Sequence, residues 1–226
     1  MAKLFVIPTP VGNLEDITYR SVRILQEVDL VLAEDTRTTR RLLDHYQISA
    51  RIESHHKFNE HQKAGQLAQR IQQSDQTAAL VSDAGTPGIS DPGYLLISHC
   101  LEQSVEVETL PGATAFLPAL VNSGLPCDRF VFEGFLPHKK GRKKRLEFLS
   151  GEDRTMVLYE SPYRLLKTLQ QLAEYMGENR RASVSRELTK MHEENSRGTL
   201  QELIQHYANR KIKGEIVVIV AGKPKK

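Results

Sequence analysis

The sequence predicts an α/β protein built from two α/β domains, each with its own sheet. Three observations support this: short apolar runs alternate with segments of helical periodicity, loops rich in Gly, Pro and charged residues follow the runs, and the two halves differ in charge. Residues 1–112 carry 10 Lys/Arg and 15 Asp/Glu, a net of −5, so the remaining 21 Lys/Arg and 13 Asp/Glu give +8. We therefore expect an N-terminal α/β domain over 1–112, a linker helix over 113–127 and a C-terminal α/β domain over 128–226.

The first half reads as strand, loop, helix, strand, the pattern of a parallel sheet. The apolar runs predict strands at Leu4–Ile7, Leu30–Ala33, Ala78–Val81 and Val105–Leu110. Helical periodicity predicts helices near 17–28, 37–46, 60–73 and 93–103. In open α/β sheets ligands bind outside the carboxyl ends of the strands, so the loops after these runs are candidate binding loops.

The second half continues this pattern less regularly. Strands are predicted at Phe130–Phe132, Thr155–Tyr159, Ala182–Ser185 and Glu215–Val220, with a short helix at 114–122. Ser161-Pro162 has the form of an N-cap followed by Pro at the first helical position, which predicts a helix running to Met176 and ending at Gly177. Thr199 and Glu202 have the spacing of a capping box. Two such domains facing each other would enclose a cleft.

Composition narrows the protein class. No apolar run approaches the ~20 residues of a membrane helix, and the apolar stretch at the N-terminus is too short for a secretory signal. Cys100 and Cys127 lack metal or disulfide spacing, which favours a reducing, cytoplasmic setting. His55, His56 and His61 have no paired Cys or carboxylate spacing, so we expect solvated surface histidines and no metal site.

Several common nucleotide and hydrolase motifs are missing from the sequence. The loop after the first predicted strand, Pro-Thr-Pro-Val-Gly at 8–12, has one glycine and is not a dinucleotide-binding fingerprint. No phosphate-binding loop of the G-x-x-x-x-G-K-[ST] type occurs, and no G-x-S-x-G elbow. A non-Rossmann ligand site is therefore expected.

The segment 81–93, VSDAGTPGISDPG, is the strongest candidate for a binding loop. Glycine allows close approach of backbone to a ligand, and proline stiffens the loop. Asp83 and Asp91 add negative charge, which would repel phosphate. A connecting turn is the alternative, but such a turn needs only one Gly or Pro.

Two basic segments are candidates for contact with a polyanion. Residues 139–145 hold six cations in seven residues, which favours phosphate contact, although a solvated loop leading into a helix would look the same. Arg37, Arg40 and Arg41 follow Glu34-Asp35-Thr36, where Thr36 could cap a helix and the acids favour its N-terminus. That structural role alone could explain the cluster, and phosphate or substrate contact is the alternative.

A third mixed segment follows the predicted strand at 182–185. Residues 186–194, Arg-Glu-Leu-Thr-Lys-Met-His-Glu-Glu, combine acid, base and cation. A polar helix or loop with local ion pairs and a functional site remain equal alternatives.

Eight motifs occur in one order from residue 7 to 222: IPTPVGNLEDIT, AEDTR, SDAGTPGISDPG, LPGATA, FEGFLP, YESPYR, SRELTKMHEE and KGEIVVIVAG. Together they resemble the tetrapyrrole methylase superfamily and, within it, the bacterial 16S ribosomal RNA 2′-O-ribose methyltransferases that modify a cytidine of the decoding centre. The resemblance covers nearly the whole chain. Asp83 is flanked by Ser82 and Ala84 rather than by Gly and Pro, which argues against a tetrapyrrole substrate.

The resemblance implies a tetrapyrrole methylase-like fold that binds S-adenosyl-L-methionine in a cleft between the two domains. It also implies a 16S ribosomal RNA substrate within the small ribosomal subunit, a homodimer and a cytoplasmic location. Relatives that act on ribosomal RNA usually continue into a small C-terminal domain, so we expect that this chain lacks one. The implied cofactor residues are Pro8, Thr9, Pro10, Asp83, Ala84, Gly85, Thr86, Ile89, Ser90, Ala113, Thr114, Ala115, Tyr159, Glu160, Leu188 and Glu215.

The expected chemistry is an in-line methyl transfer to a ribose hydroxyl, a weak nucleophile that needs a base or a stabilising cation. Asp35 and Glu187 are the candidate bases, and Lys190 is either a base with lowered pKa or a cation that stabilises the alkoxide. The candidate RNA-binding residues are Arg37, Arg40, Lys139, Lys140, Arg142, Lys143 and Lys144. A small-molecule, tetrapyrrole-like methyltransferase of the same fold and a non-catalytic RNA-binding module are the alternatives.

Overall fold

The computed structural model describes residues 2–224, apart from the side chains of residues 58, 59 and 62. The chain divides into two compact units, Met1–Thr114 and Ala115–Lys226. Residues 115–127, expected to form a linker helix, belong to the second unit, because Ala119, Leu120 and Leu125 pack into its core. No helix in the described part of the chain is long and apolar enough to cross a membrane.

The first unit is a five-stranded parallel sheet with helices on both faces. Its strands have the order β3-β2-β4-β1-β5. They are β1 (Lys3–Val6), β2 (Leu30–Ala33), β3 (Ile52–Ser54), β4 (Thr77–Val81) and β5 (Glu106–Thr109), and the helices are α1 (Tyr19–Glu27), α2 (Thr36–His45), α3 (Lys57–Ser74) and α4 (Tyr94–Glu102), with a 3-10 turn at Leu14–Asp16.

Alternation along the central strands explains the two helical layers of this unit. Leu30 and Leu32 of β2 pack with residues of α3 and α4, whereas Val31 and Ala33 pack with residues of α1 and α2. Because both faces are covered, β2 is apolar at every position, as is typical of parallel sheets. The sequence did not predict β3, which is short and has no fully buried residue.

The second unit contains a mixed five-stranded sheet of order β6-β7-β10-β8-β9. The strands are β6 (Phe130–Phe135), β7 (Thr155–Glu160), β8 (Arg181–Arg186), β9 (Glu194–Thr199) and β10 (Ile216–Val220), and the helices are α5 (Phe116–Asn122), α6 (Arg142–Ser150), α7 (Leu165–Met176) and α8 (Leu200–Tyr207). Helices α6, α7 and α8 pack on one face and α5 on the other.

Strand direction in the second unit differs from that of a continued parallel sheet. β6 pairs with β7 in parallel, but β10 lies between β7 and β8 and is antiparallel to both. β9 is also antiparallel to β8. The carboxyl ends of β7 and β8 therefore lie at the same edge as the amino ends of β9 and β10.

Helix ends show where local signals succeeded and failed. Thr199 and Glu202 form the expected capping box, and Gly177, with a φ of +92°, ends α7 as expected. The predicted start of α7 at Ser161-Pro162 was wrong, because the helix begins at Leu165. Residues 161–164 form a turn in which the Arg164 and Leu165 amides donate to the Ser161 carbonyl. Gly93 is the N-cap of α4, which begins at Tyr94, one residue after the predicted start.

Candidate functional site

Three loops at the carboxyl edge of the first sheet are joined by hydrogen bonds. Thr9 and Gly85 exchange two backbone hydrogen bonds of 2.9 Å, so the loop after β1 is tied to the loop after β4. The Thr9 hydroxyl donates to the Ser82 carbonyl at 3.0 Å, and the Thr86 hydroxyl donates to the Ala113 carbonyl at 3.0 Å. The structure thus brings together the loops after β1, β4 and β5, as their adjacent places in the sheet require.

Glycine permits the close packing of these loops. A Cβ on Gly112 would lie 2.8 Å from the Pro8 Cβ, closer than side chains approach, so only glycine fits there without a shift. Gly85 has a φ of +80° and faces the Ala113 carbonyl and the Thr114 Cα, each 3.8 Å from the position of its missing Cβ. The loops present backbone groups at short range, which suits a ligand held by main-chain contacts.

The expected cofactor residues of the first unit fall into two groups. Pro8, Thr9, Pro10 and Gly85 are buried in the joined loops, where the backbone N–H and C=O groups of Thr9 and Gly85 are paired with each other. Ile89 and Ser90 are exposed further along the loop after β4, and Ser90 has a φ of +67°. Asp83 is also exposed, whereas Ala84, Thr86, Ala113 and Thr114 are half-buried in the same three loops.

Carboxylates cluster where β2 and β4 end. The Asp83 amide donates to the Glu34 carboxylate at 3.3 Å, and the Asp35 amide donates to the Asp83 carboxylate at 3.1 Å. Partial burial raises the pKa of Glu34, and the nearby Asp83 charge adds to the shift. Burial also raises the pKa of Asp83, with Asp35 adding to it against the hydrogen bond from the Asp35 amide. A cation bound beside Glu34 and Asp83 would therefore be stabilised.

Asp35 has a structural role that the sequence assigned to Thr36. It is the N-cap of α2, and its carboxylate accepts from the Arg37 amide at 2.8 Å and from the Arg37 guanidinium at 2.6 and 3.1 Å. These hydrogen bonds hold the pKa of Asp35 far below its usual range. A carboxylate so strongly stabilised in its charged form is a poor general base. Arg37 is occupied by this pair, while Arg40 is exposed on the same helix.

In the second unit, one row of paired residues marks the corresponding edge of the sheet. Ile216 at the start of β10 pairs with Glu160 at the end of β7 and with Arg186 at the end of β8, and Arg186 pairs with Glu194 of β9. The antiparallel insertion of β10 is what brings Glu215, at the start of a strand, to the same edge as residues that end strands.

Lys190 lies between two carboxylates at this edge. Its ammonium donates to Glu187 Oε1 at 3.0 Å and to Glu215 Oε2 at 3.0 Å, and the Glu215 amide donates to the same Glu187 oxygen at 3.0 Å. Burial alone would lower the pKa of Lys190, but the hydrogen bonds to Glu215 and Glu187 outweigh it and raise the pKa. Burial opposes ionisation of Glu187 as well, yet hydrogen bonds from Glu215 and Lys190 lower its pKa. Both carboxylates therefore favour the charged form of Lys190.

The backbone around this cluster is in an unusual conformation. Glu187 and Thr189 have φ values of +53° and +66°, a region that side chains other than glycine rarely occupy. Gly214, with a φ of +87°, packs so closely that a Cβ there would lie 2.3 Å from the Glu187 carboxyl carbon. Such strain is retained where the surrounding structure imposes it, often at functional sites.

The remaining second-unit residues expected at the cofactor are mostly packed inward. Leu188 is buried in the core beneath α5. The Tyr159 ring packs edge-on against Phe132 and at a tilt against Phe135, with ring centroids 5.3 and 5.6 Å apart. Ala115, the first residue of this unit, packs at the margin of the same core. Glu160 is almost fully buried and bonded within the protein, so its carboxylate is already occupied.

The basic segment 139–145 is split by the fold. Lys139 and Lys140 lie in an exposed turn, Gly141 adopts a φ of +84°, and Lys143 and Lys144 are exposed in the first turn of α6. Arg145 forms a bidentate pair with Glu133 at 2.6 and 2.8 Å.

Arg142 of this segment points inward. It is buried and donates to Gln171, to the Pro137 carbonyl and to Thr168 at 2.7–3.1 Å. This burial is inconsistent with the expected RNA contact. Arg142 is buried because a helix turns one side of any continuous run of residues toward the core, even when the run is basic.

The histidines also differ from expectation in one case. His55 is fully buried rather than solvated, with its Nε2 3.8 Å from Glu60, and burial lowers its pKa. His61 is exposed. Within residues 2–224, no group of three or more His, Cys, Asp or Glu side chains could hold a metal ion.

Comparison with known proteins assigns the class. Residues 3–204 match the family Tetrapyrrole (Corrin/Porphyrin) Methylases, and the chain belongs to this family, as its motifs predicted. The fold agrees: a cobalt precorrin-4 methyltransferase of cobalamin biosynthesis matches with a TM-score of 0.72 at 17% identity over 97% of this chain and 95% of that one. A diphthine synthase matches with a TM-score of 0.73 at 12% identity over 97% and 90%.

More specific relatives share far more sequence. A protein of Synechocystis sp. named ribosomal RNA small subunit methyltransferase I is 50% identical over 223 residues, covering 98% of this chain and 80% of the relative. A protein of the same name from Thermotoga maritima is 44% identical, covering 99% of this chain and 100% of the relative. The chain is therefore a methyltransferase.

Sequence reasoning missed two residues that the structure brings forward. Glu34 follows β2 and was read only as a favourable charge near a helix N-terminus, yet its carboxylate contacts the loop after β4. Arg164, within the YESPYR motif, pairs with Glu160 at 2.7 Å. The apolar run preceding each was a usable signal, because both lie at or just after a strand's carboxyl end.

Proposed function

We propose that the protein transfers a methyl group from S-adenosyl-L-methionine to the 2′-hydroxyl of a cytidine ribose in 16S ribosomal RNA of the small ribosomal subunit. The observation that carries the proposal is near full-length similarity, at 44–50% identity, to relatives named ribosomal RNA small subunit methyltransferase I. We further propose that it works in the cytoplasm as a homodimer. A homodimer would elute with the mass of two 25.6 kDa chains in light scattering.

The joined loops of the first unit suit the cofactor. S-adenosylmethionine carries a sulfonium and an ammonium group, and Glu34 and Asp83 form an edge at which a cation is stabilised. The hydrogen bonds of Thr9, Gly85 and Ala113 fix the positions of these loops, and other backbone groups of the same loops would orient the cofactor. The cofactor supplies the electrophilic methyl group, so the protein has to bind, align and manage charge.

Lys190 is assigned to charge stabilisation. An ammonium has three N–H donors, and two go to Glu187 and Glu215 among the described residues, which leaves one for a ribose oxygen that gains negative charge. Its raised pKa keeps it charged at neutral pH. Glu187 orients the ammonium by accepting its hydrogen bond. The lowered pKa of Glu187 disfavours proton uptake and hence a role as general base. Asp35 is left as the cap of α2, and no general base is assigned.

The exposed lysines of the segment 139–145 are proposed to contact RNA phosphates. Lys139, Lys140, Lys143 and Lys144 are exposed, and lysines bind phosphate as point charges, which makes affinity depend on salt. Arg40 on α2 is proposed to add to this in the first unit, while Arg142 is excluded by its burial.

The proposed function is tested by methylation of small ribosomal subunits that lack the modification. Labelled cofactor should place one methyl group on a cytidine ribose, located by mass spectrometry of nuclease fragments. Methylation of a small tetrapyrrole instead, with turnover unaffected by removing the four lysines, would support a small-molecule enzyme. Absence of heat on titrating S-adenosylmethionine would support a non-catalytic RNA-binding module.

Lys190→Gln tests the catalytic assignment. Loss of one preorganised donor at a developing charge typically costs about 10²–10³ in turnover, so we expect that loss with unchanged cofactor affinity by calorimetry. Lys3→Gln is the matched control, because Lys3 also bridges two carboxylates, Glu106 and Glu108 at 2.6 and 2.8 Å, but lies at the amino end of β1. Normal turnover in Lys190→Gln would remove Lys190 from the mechanism.

A further inference from the structure

Two arginines share one buried carboxylate at the carboxyl end of β7. Glu160, whose side chain is 1% exposed, has Arg164 Nη2 2.7 Å from Oε1 and Arg142 Nη2 3.9 Å from Oε2. Its other partners are neutral donors, the Thr168 hydroxyl at 2.5 Å and the Ser161 amide at 2.7 Å. Two positive charges therefore face a single negative charge in this network.

The surplus charge lies on Arg164. Arg142 donates to Gln171, the Pro137 carbonyl and Thr168, so its guanidinium is bonded in three directions. Arg164 is held by Glu160 through Nη2, whereas its Nε and Nη1 are buried without an acceptor among the described residues. Buried donors of a charged group are costly to leave unpaired. An external anion that accepted hydrogen bonds from Nε and Nη1 would therefore stabilise the Arg164 side chain.

We propose that Arg164 binds a backbone phosphate of the RNA substrate by turning its side chain away from Glu160; this rests on the proposed function. Its side chain is 20% exposed, so it reaches the surface. Glu160 keeps the Thr168 hydroxyl, the Ser161 amide and the Arg142 guanidinium when Arg164 leaves. A phosphate accepts from two guanidinium nitrogens at once, which satisfies the donors that are unpaired here.

The surroundings of Arg164 favour RNA over a small anion. The neighbouring Tyr163 side chain is exposed, at 95% for the residue, and single-stranded RNA is commonly bound by stacking of bases on such rings. Lys139 and Lys140 are exposed in the turn that follows Pro137, whose carbonyl is bonded to Arg142 of the same network. An exposed aromatic ring and exposed cations thus accompany the surplus charge.

Arg164→Gln tests the inference, with Arg154→Gln as the matched control. Arg154 pairs with Glu152 and precedes the first residue of β7, so it lies at the opposite end of the strand. Affinity for 16S ribosomal RNA is measured over a range of salt concentrations. For Arg164→Gln we expect about tenfold weaker binding or more, and a slope of log affinity against log salt smaller by about 0.7–0.9, the loss of one phosphate contact. Arg154→Gln should match the wild type.

The outcomes separate this inference from the proposed function. A wild-type enzyme that methylates subunits, with Arg164→Gln equal to it in affinity and salt slope, overturns the inference alone. Weakened S-adenosylmethionine binding with an unchanged salt slope also overturns it, because the anion is then the cofactor carboxylate. A wild type that neither binds nor methylates RNA overturns both. If Arg164→Gln unfolds, Arg164→Met decides: methionine keeps the apolar part of the side chain without its charge, so wild-type affinity and salt slope there overturn the proposal.

Discussion

Replacement of Thr168 by valine removes the hydroxyl at the centre of the Glu160 network while keeping the side chain's shape. The hydroxyl donates to Glu160 at 2.5 Å and accepts from Arg142 at 2.7 Å, and the residue is fully buried. Hydrogen bonds to charged groups are worth roughly 1.5–3 kcal/mol each. Because Glu160 and Arg142 keep other partners, we expect Thr168→Val to lower the free energy of unfolding of the second unit by about 3 kcal/mol.

Thr155→Val is the matched control for this change. Thr155 is also a buried threonine, but its hydroxyl donates to a neutral acceptor, the Pro126 carbonyl, at 2.6 Å, which is worth about 1 kcal/mol. Urea unfolding followed by circular dichroism measures both, since the chain has no tryptophan. A cost for Thr168→Val equal to or below that of Thr155→Val would refute the charge-assisted network.

Two other predictions concern a glycine and the cysteines. Gly214→Ala places a Cβ 2.3 Å from the Glu187 carboxyl carbon at a φ of +87°, so we expect about 1–2 kcal/mol of strain, seen as a lower melting temperature. The displaced Glu187 should also reduce methyl transfer by more than the loss of folded protein accounts for. Full activity would contradict the assigned role of Glu187. Ellman's reagent should modify Cys127 alone in the native protein and both thiols in denaturant, because Cys100 is buried and its pKa is raised to about 11; two native thiols reacting at equal rates would contradict this.

Local sequence patterns predicted most elements and the family, but not the contacts of individual charges. Leu30–Ala33 was predicted residue for residue, because a short, continuous apolar run between polar loops is typical of a strand that is buried on both faces. β9 was missed because its sequence, ENSRGT, is polar and has no apolar face to reveal it. α6 was anticipated only as the helix that a solvated basic loop would lead into, because its basic start, Arg142–Arg145, hides the apolar positions Leu146 and Leu149.

The sequence by itself determined the two α/β units, the loops that carry unusual residues and the order of motifs that identifies a methylase. Only the tertiary structure decided which charges are available: Asp35 caps a helix, Arg142 is buried and Lys190 lies between Glu187 and Glu215. The physical reason is the distance along the chain over which each signal acts. Periodicity records burial over a few residues, whereas the Lys190–Glu215 contact depends on β10 inserting antiparallel between β7 and β8, a choice of strand order that no local pattern encodes.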